Sequence, residues 1–272
     1  MANTSYENNI LEWRAKKHEE RVGENGWLAV AGLFWLKPGR NLIGSNSVCE
    51  VVLPERAPTF IGIAELKGDT VRLQVTEGVP VRINDRSVQK AILKSNKDQK
   101  PSYITWNDIH MVLHEYVGKY AIRVWDNKRE QRFNLPPSKW FPIDKKFHSS
   151  ARYTRYPTPK ISEQEDTFGE TVEDRLDGYI TFKFDGITYK LDATETDDQR
   201  LFIKFRDATS GKETYPPSRY LYTPPVNGNK VNLDFNYAYS PPCAFTEFAT
   251  CLFASPQNTL PFRVEAGEIY RG

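Results

Sequence analysis

The chain is poor in the residues that usually announce catalysis or metal binding. It has three cysteines and four histidines in 272 residues, with no C-x-x-C and no H-E-x-x-H, so no local zinc or dithiol motif is encoded. It also lacks a G-x-G-x-x-G turn and a phosphate-binding Walker loop. No cofactor is therefore expected, and no metal. An excess of one charge is missing too: 37 basic against 35 acidic residues leave a net charge of +2, which points away from nucleic acid and from anionic membranes as partners. Long apolar runs are absent. The longest, Trp27 to Leu36, is half a membrane span and is interrupted by Gly32. The opening MANTSYENNILEW has no basic stretch leading into an apolar one, so no secretory signal is expected, and the cytoplasm is the expected compartment. With 39% hydrophobic and 26% charged residues, the composition is that of a soluble globular chain.

The stretch from Leu233 to Cys251, LDFNYAYSPPCAFTEFATC, is the densest in polar and aromatic chemistry. Pro241 and Pro242 rule out helix and central strand, because neither has an N–H to give and each restricts the residue before it. The chain is expected to leave a strand at Leu233–Asn236 and turn sharply, holding Asp234, Asn236 and Tyr239 near one another. Cys243 and Cys251 lie eight positions apart across that turn, either as free thiols or as a bridge. Cys49, in the alternating SVCEVVLP, reads as a small core residue.

Periodicity predicts one helix followed by strands. Tyr6, Ile10 and Trp13 form an apolar helical stripe that fades near Glu20. From Asn41 onward short β-rich runs alternate with turn signals, as in NLIGS, FIGIAEL, VRLQVT, IHMVLHEYV and YAIRVWD. The second half repeats this texture in GYITFKFDG, ITYKLDATE, RLFIKFRD, KVNLDFNYAY and LPFRVEAGE, with Asp185-Gly186 as a two-residue hairpin turn. Residues 161–178, acidic and polar, read as a surface loop. The expected fold is mainly β: two packed antiparallel units, sandwich- or barrel-like, with a short N-terminal helix. NLPPSKWFP, residues 134–142, is the expected hinge. It divides residues 1–135 (helix plus sandwich) from residues 136–272, which carry the pocket-forming chemistry.

Several motifs resemble the uncharacterised domain-of-unknown-function family number 1684. They are SPPCAFTEFATC with PQNTLPFRVEAGE, WLAVAGLFWLKPGRNLIGS from Trp27, WFPIDKKFHSSARY from Trp140, and DATSGKETYPPSRYLYTPP from Asp207. The resemblance runs over about residues 7–270 and implies a shared architecture, with no activity attached. Where the family pattern carries proline after the second cysteine, this chain has Leu252-Phe253. GRNLIGS followed by VRINDRS also resembles a forkhead-associated β-sandwich. The phosphothreonine-binding residues of that sandwich do not carry over, since Arg56, Pro58 and Thr59 follow with no Ser-x-x-His.

Three functional readings stay open. In the first, a pocket in the second half holds a small polar or anionic ligand through Arg219, Tyr220, Asp234, Asn236, Tyr239 and Glu265, with aromatic walls. In the second, the same pocket is hydrolase-like, with His148, Cys243 or a carboxylate such as Asp234 as the reacting group; a Cys243–His148 pair oriented by Asp234 or Asn236 is one form of it. In the third, the front sandwich docks a protein partner. The structural alternative for the same residues is an Asp234–Arg219 ion pair, with Asp207 opening the DATSG turn. His110 and His114 lie about 13 Å apart along a strand, too far to share a metal, and read as solvent-facing. His18 reads as part of a solvated helix face. Oligomeric state is not encoded in any recognisable pattern.

Overall fold

The structure, a computed structural model, describes residues 2–270. It is mainly β and divides into two units, residues 19–135 and residues 1–18 with 136–272. The division falls inside the N-terminal helix, Ala2–Val22, whose first part groups with the second half of the chain. Among the described residues, no helix is long and apolar enough to cross a membrane.

Residues 19–135 form a two-sheet sandwich. One sheet has six strands in the order Val30–Trp35, Lys119–Asp126, Ile109–Tyr116, Tyr103–Trp106, Arg82–Ile83, Arg86–Ser87. The other has five, in the order Val51–Val52, Gly39–Gly44, Gly62–Lys67, Thr70–Val75, Lys90–Ile92. Alternation explains the core: Ile109, Met111 and Leu113 from one sheet meet Ala64, Val71, Leu73 and Val75 from the other in a single apolar cluster. Cys49 is buried, as its pattern predicts. Arg56 forks onto both carboxylate oxygens of Asp126. One expectation fails here. His114 is not solvent-facing but buried, because both faces of Ile109–Tyr116 are covered. On the outer face Arg123 donates to His114 Nε2 at 3.3 Å and lies over the Trp27 ring.

In the other unit a six-stranded sheet runs in the order Arg219–Tyr222, Leu201–Phe205, Ile187–Glu195, Thr171–Phe184, His148–Glu165, Lys230–Asp234. Its core is rich in rings, with Phe205 against Phe235 and Phe184 stacked on Phe262. Asp185 and Gly186 both take positive φ, 48° and 79°, and make the two-residue turn between Phe184 and Ile187.

Two strand assignments are corrected. Residues 161–178 are not a loop but most of a long hairpin, with Glu165 opposite Thr171 and Ile161 opposite Arg175. Its inward positions include polar side chains: Gln164, Asp166 and Asp174 are all buried, and Asp174 takes the Lys204 ammonium at 2.6 Å. LPFRVEAGE, by contrast, contributes a strand only at Glu268–Ile269. Its inner backbone is held by side chains instead, as Arg219 donates to the carbonyls of Val264 and Ala266.

Candidate functional site

Asp234 ends its strand because its own carboxylate accepts the Asn236 N–H at 2.9 Å, which caps the single turn Phe235–Tyr237. Asn236 is fully buried. Its carboxamide oxygen accepts from Asp144 N at 3.1 Å, and its nitrogen reaches Asp144 O at 3.0 Å and Asp234 Oδ1 at 2.8 Å. The other Asp234 oxygen accepts the Tyr6 hydroxyl at 2.6 Å. Burial first, and then the Asp234 carboxylate, push the Tyr6 phenol upward, so it stays protonated and donating. His148, opposite Asp234 in the ladder, lays its ring flat on Tyr6 with centroids 5.4 Å apart.

Of these, Tyr6, His148 and Asp234 line a cleft of about 380 Å³. The helix supplies Tyr6, Trp13 and Lys17, spaced to share one face. The turn after Asp234 supplies Tyr237 and Tyr239, which meet Trp13 edge-on at 5.1 and 6.0 Å. Arg200, Tyr222, Thr223 and Pro224 also line it. The Lys17 ammonium lies 5.0 Å from the Tyr239 ring centre, and Arg200 lies 4.9 Å from that of Tyr222 while pairing with Asp198. The result is an aromatic trough with two cationic groups on its walls and a carboxylate already committed to three donor groups, from Tyr6 and Asn236.

His148, Asp234 and Tyr239 are thus brought together, with Asn236 directly behind Asp234. The other residues singled out from sequence lie elsewhere. Arg219 is 1% exposed and pairs with Asp207, not Asp234, at 2.8 Å. The reason is the pleat: Arg219 sits opposite Phe205, and Asp207, two positions on, falls on the same face. Tyr220 is buried and donates to Leu252 O. Glu265 is exposed and pairs with Arg263. Cys243 lies beside Cys251, both as free thiols; among the described residues no hydrogen bond joins it to His148. His18 is half-buried rather than solvated.

The sequence model of the family described as "Protein of unknown function (DUF1684)" matches residues 134–269. The chain belongs to this family. The matched segment of this DUF1684 member contains the hairpin, Asp234, Asn236 and the Pro241–Cys251 turn; the Trp27–Ser45 motif and the helix residues Tyr6, Trp13 and Lys17 lie outside it. A solution NMR structure of an uncharacterized protein from Haloarcula marismortui is similar at 31% identity and a TM-score of 0.42, covering 52% of this chain and 80% of that one. A structure from a study of phosphothreonine-dependent FHA domain interactions matches at 17% identity and a TM-score of 0.24, over 34% of this chain and 92% of its own. No curated protein matches the chain.

The sequence reading missed Lys17 and Arg200 as cleft residues and took Tyr6 and Trp13 for an apolar helical stripe. The available signal was the spacing of Tyr6, Trp13 and Lys17 at i, i+7 and i+11, a face with two rings and one cation where a buried helix would carry aliphatics.

Proposed function

We propose that the cleft of residues 1–18 and 136–272 binds a small anionic ligand with a flat, partly apolar body. The observation that carries this is the pairing of Lys17 and Arg200 with an aromatic trough of suitable volume. Rings of Trp13, Tyr222, Tyr237 and Tyr239 offer stacking and edge contacts to a planar group. Lys17 and Arg200 offer charge to a carboxylate or phosphate. Asp234 already accepts from Tyr6 and Asn236, which supports binding over acid–base hydrolysis at this place. Its role is to fix Tyr6, and through Tyr6 the helix wall, against the sheet edge.

Isothermal titration of the full chain with aromatic carboxylates and nucleoside monophosphates, each beside an uncharged analogue, tests the reading. At least one anion is expected to bind, with its affinity falling about tenfold, or about 1.4 kcal/mol, in Lys17→Gln or Arg200→Gln. Raised salt should weaken it further. Equal binding of the uncharged analogue, or unchanged affinity in both variants, would refute the assignment.

A further inference from the structure

The turn that begins at Pro241-Pro242 carries a second chemistry, independent of the cleft. Pro242–Ala244 forms a single tight turn that leaves Cys243 half-buried at its centre. Cys251 is buried next to it, and the Cys243 N–H donates to Cys251 Sγ at 3.3 Å. Cys251 is pinned to the tip of the long hairpin by Thr167, whose hydroxyl accepts Cys251 N at 3.3 Å and donates to Ala249 O at 2.6 Å, while Thr167 N donates to Cys251 O. Tyr215 closes the other side: its hydroxyl donates to Cys243 O at 3.3 Å.

A thiolate at Cys243 would therefore lie beside two groups able to turn a proton toward it, the Cys251 thiol and the Tyr215 hydroxyl. Donors aimed at sulfur favour the charged form, as they do for any buried anion. Cys251 faces the reverse situation, enclosed and next to a sulfur that carries the charge.

We propose that Cys243 is a hydroperoxide-reactive thiol and that Cys251 is its resolving partner. The Cys243 thiolate attacks one oxygen of the peroxide R–O–O–H. The O–O bond breaks, the alkoxide leaves and takes up a proton as ROH, and Cys243 becomes a sulfenic acid. The Cys251 sulfur, giving up its proton, then attacks the Cys243 sulfur. The S–O bond breaks, hydroxide leaves and takes that proton as water, and a disulfide joins the two residues. Two electrons pass from the thiols to the peroxide, so no other oxidant is needed.

Electrostatics run in the same direction. The neighbouring Cys251 thiol is the largest influence on Cys243 and holds its thiol below the ordinary range, against the opposing effect of burial. The neighbouring Cys243 side chain, followed by burial, drives Cys251 upward. Cys49 is an internal control, because burial pushes its thiol up and no resolving cysteine stands beside it.

The test is oxidation of the reduced full-length chain by hydrogen peroxide, followed by mapping of all three cysteines by mass spectrometry. A Cys243–Cys251 disulfide should form, with Cys243 reacting at least about tenfold faster than Cys49, and its rate should stay high to below about pH 8.5, where an ordinary thiol fades. Cys251→Ser should trap Cys243 as a dimedone-reactive sulfenic acid, and Cys243→Ser should leave Cys251 reduced. If Cys243 in the unmutated chain reacts no faster than Cys49, or is oxidised without ever joining Cys251, the proposal fails; neither result depends on how the variants fold.

Discussion

Asp207→Ala should lower the stability of the unit formed by residues 1–18 and 136–272 by about 3–5 kcal/mol, because it leaves a buried guanidinium without its counter-charge. Arg219 is 1% exposed, and Asp207 is its ion-pair partner. The remaining acceptors of Arg219, the carbonyls of Val264 and Ala266, are dipoles that cannot neutralise it. Burial already presses the guanidinium pKa down, with Asp207 and, after it, the charge of Glu268 opposing. The carboxylate has a second task, since its other oxygen accepts Thr209 N at 2.8 Å and Val264 N at 3.1 Å and so starts the turn after Phe205. Gly267 adds the steric constraint: it holds φ at +79°, and a Cβ there would lie 2.3 Å from Ala238 O. Urea denaturation of the full chain measures the loss as a shift in midpoint at constant slope. The double variant Asp207→Leu, Arg219→Met should lose less than Asp207→Ala, because no charge is left stranded. A loss under about 1 kcal/mol for Asp207→Ala would mean that water reaches the pair.

How far the sequence reveals these features depends on whether the inward-facing residues are apolar. Where they are, as at Ile109, Met111 and Leu113, or at Ile180 and Phe182, the strands are legible and the DG turn fixes the register. The hairpin over 161–178 is illegible for the opposite reason: Gln164, Asp166 and Asp174 face inward, the first two hydrogen-bonded within the hairpin and Asp174 paired with Lys204, far along the chain. The irregular run 260–267 misleads the other way, its apolar residues mimicking a strand whose ladder is replaced by the Arg219 side chain. At the site, Asp234, Asn236 and Tyr239 stand out because a polar, aromatic and proline-rich run has no simple core explanation. The helix wall does not, since Tyr6 and Trp13 look like core stripe until the edge strand is placed beside them. Arg219 was paired with the wrong carboxylate because its choice depends on sheet order: Lys230–Asp234 and Arg219–Tyr222 are at opposite ends of the strand sequence, whereas Asp207 follows the neighbouring strand.

The sandwich of residues 19–135 should lose stability as pH falls through the histidine range, and His114 is the cause. Burial, then the Arg123 and Lys97 charges, push its imidazole down to about 3 from an ordinary value of 6.5. Arg123 donates to Nε2 at 3.3 Å, which requires a lone pair there and hence a neutral ring. The Tyr116 ring stacks on the same imidazole. The unfolded chain therefore binds a proton that the folded chain refuses over the whole interval between the two values. Because the folded value is the lower one, the stabilisation is present above pH 6.5 and declines as pH drops toward 3. With 1.36 kcal/mol per unit, the decline between pH 7.5 and pH 5 is about 2 kcal/mol, and the full interval amounts to about 4 kcal/mol. The carboxylates whose values are also depressed in this unit, Asp126 beside Arg56, Asp108 beside Lys128 and Glu50 under the Leu42 N–H, titrate below this range. Comparison at pH 7.5 and pH 5 therefore isolates the histidine. His114→Phe keeps a ring against Tyr116 but removes the titration. It should be less stable than the original chain at pH 7.5, since Arg123 loses an acceptor, yet should change little on going to pH 5. Urea denaturation at the two pH values decides the matter: if the variant keeps the slope of the original chain, the acid sensitivity arises elsewhere and His114 is neutral for reasons that do not bear on folding.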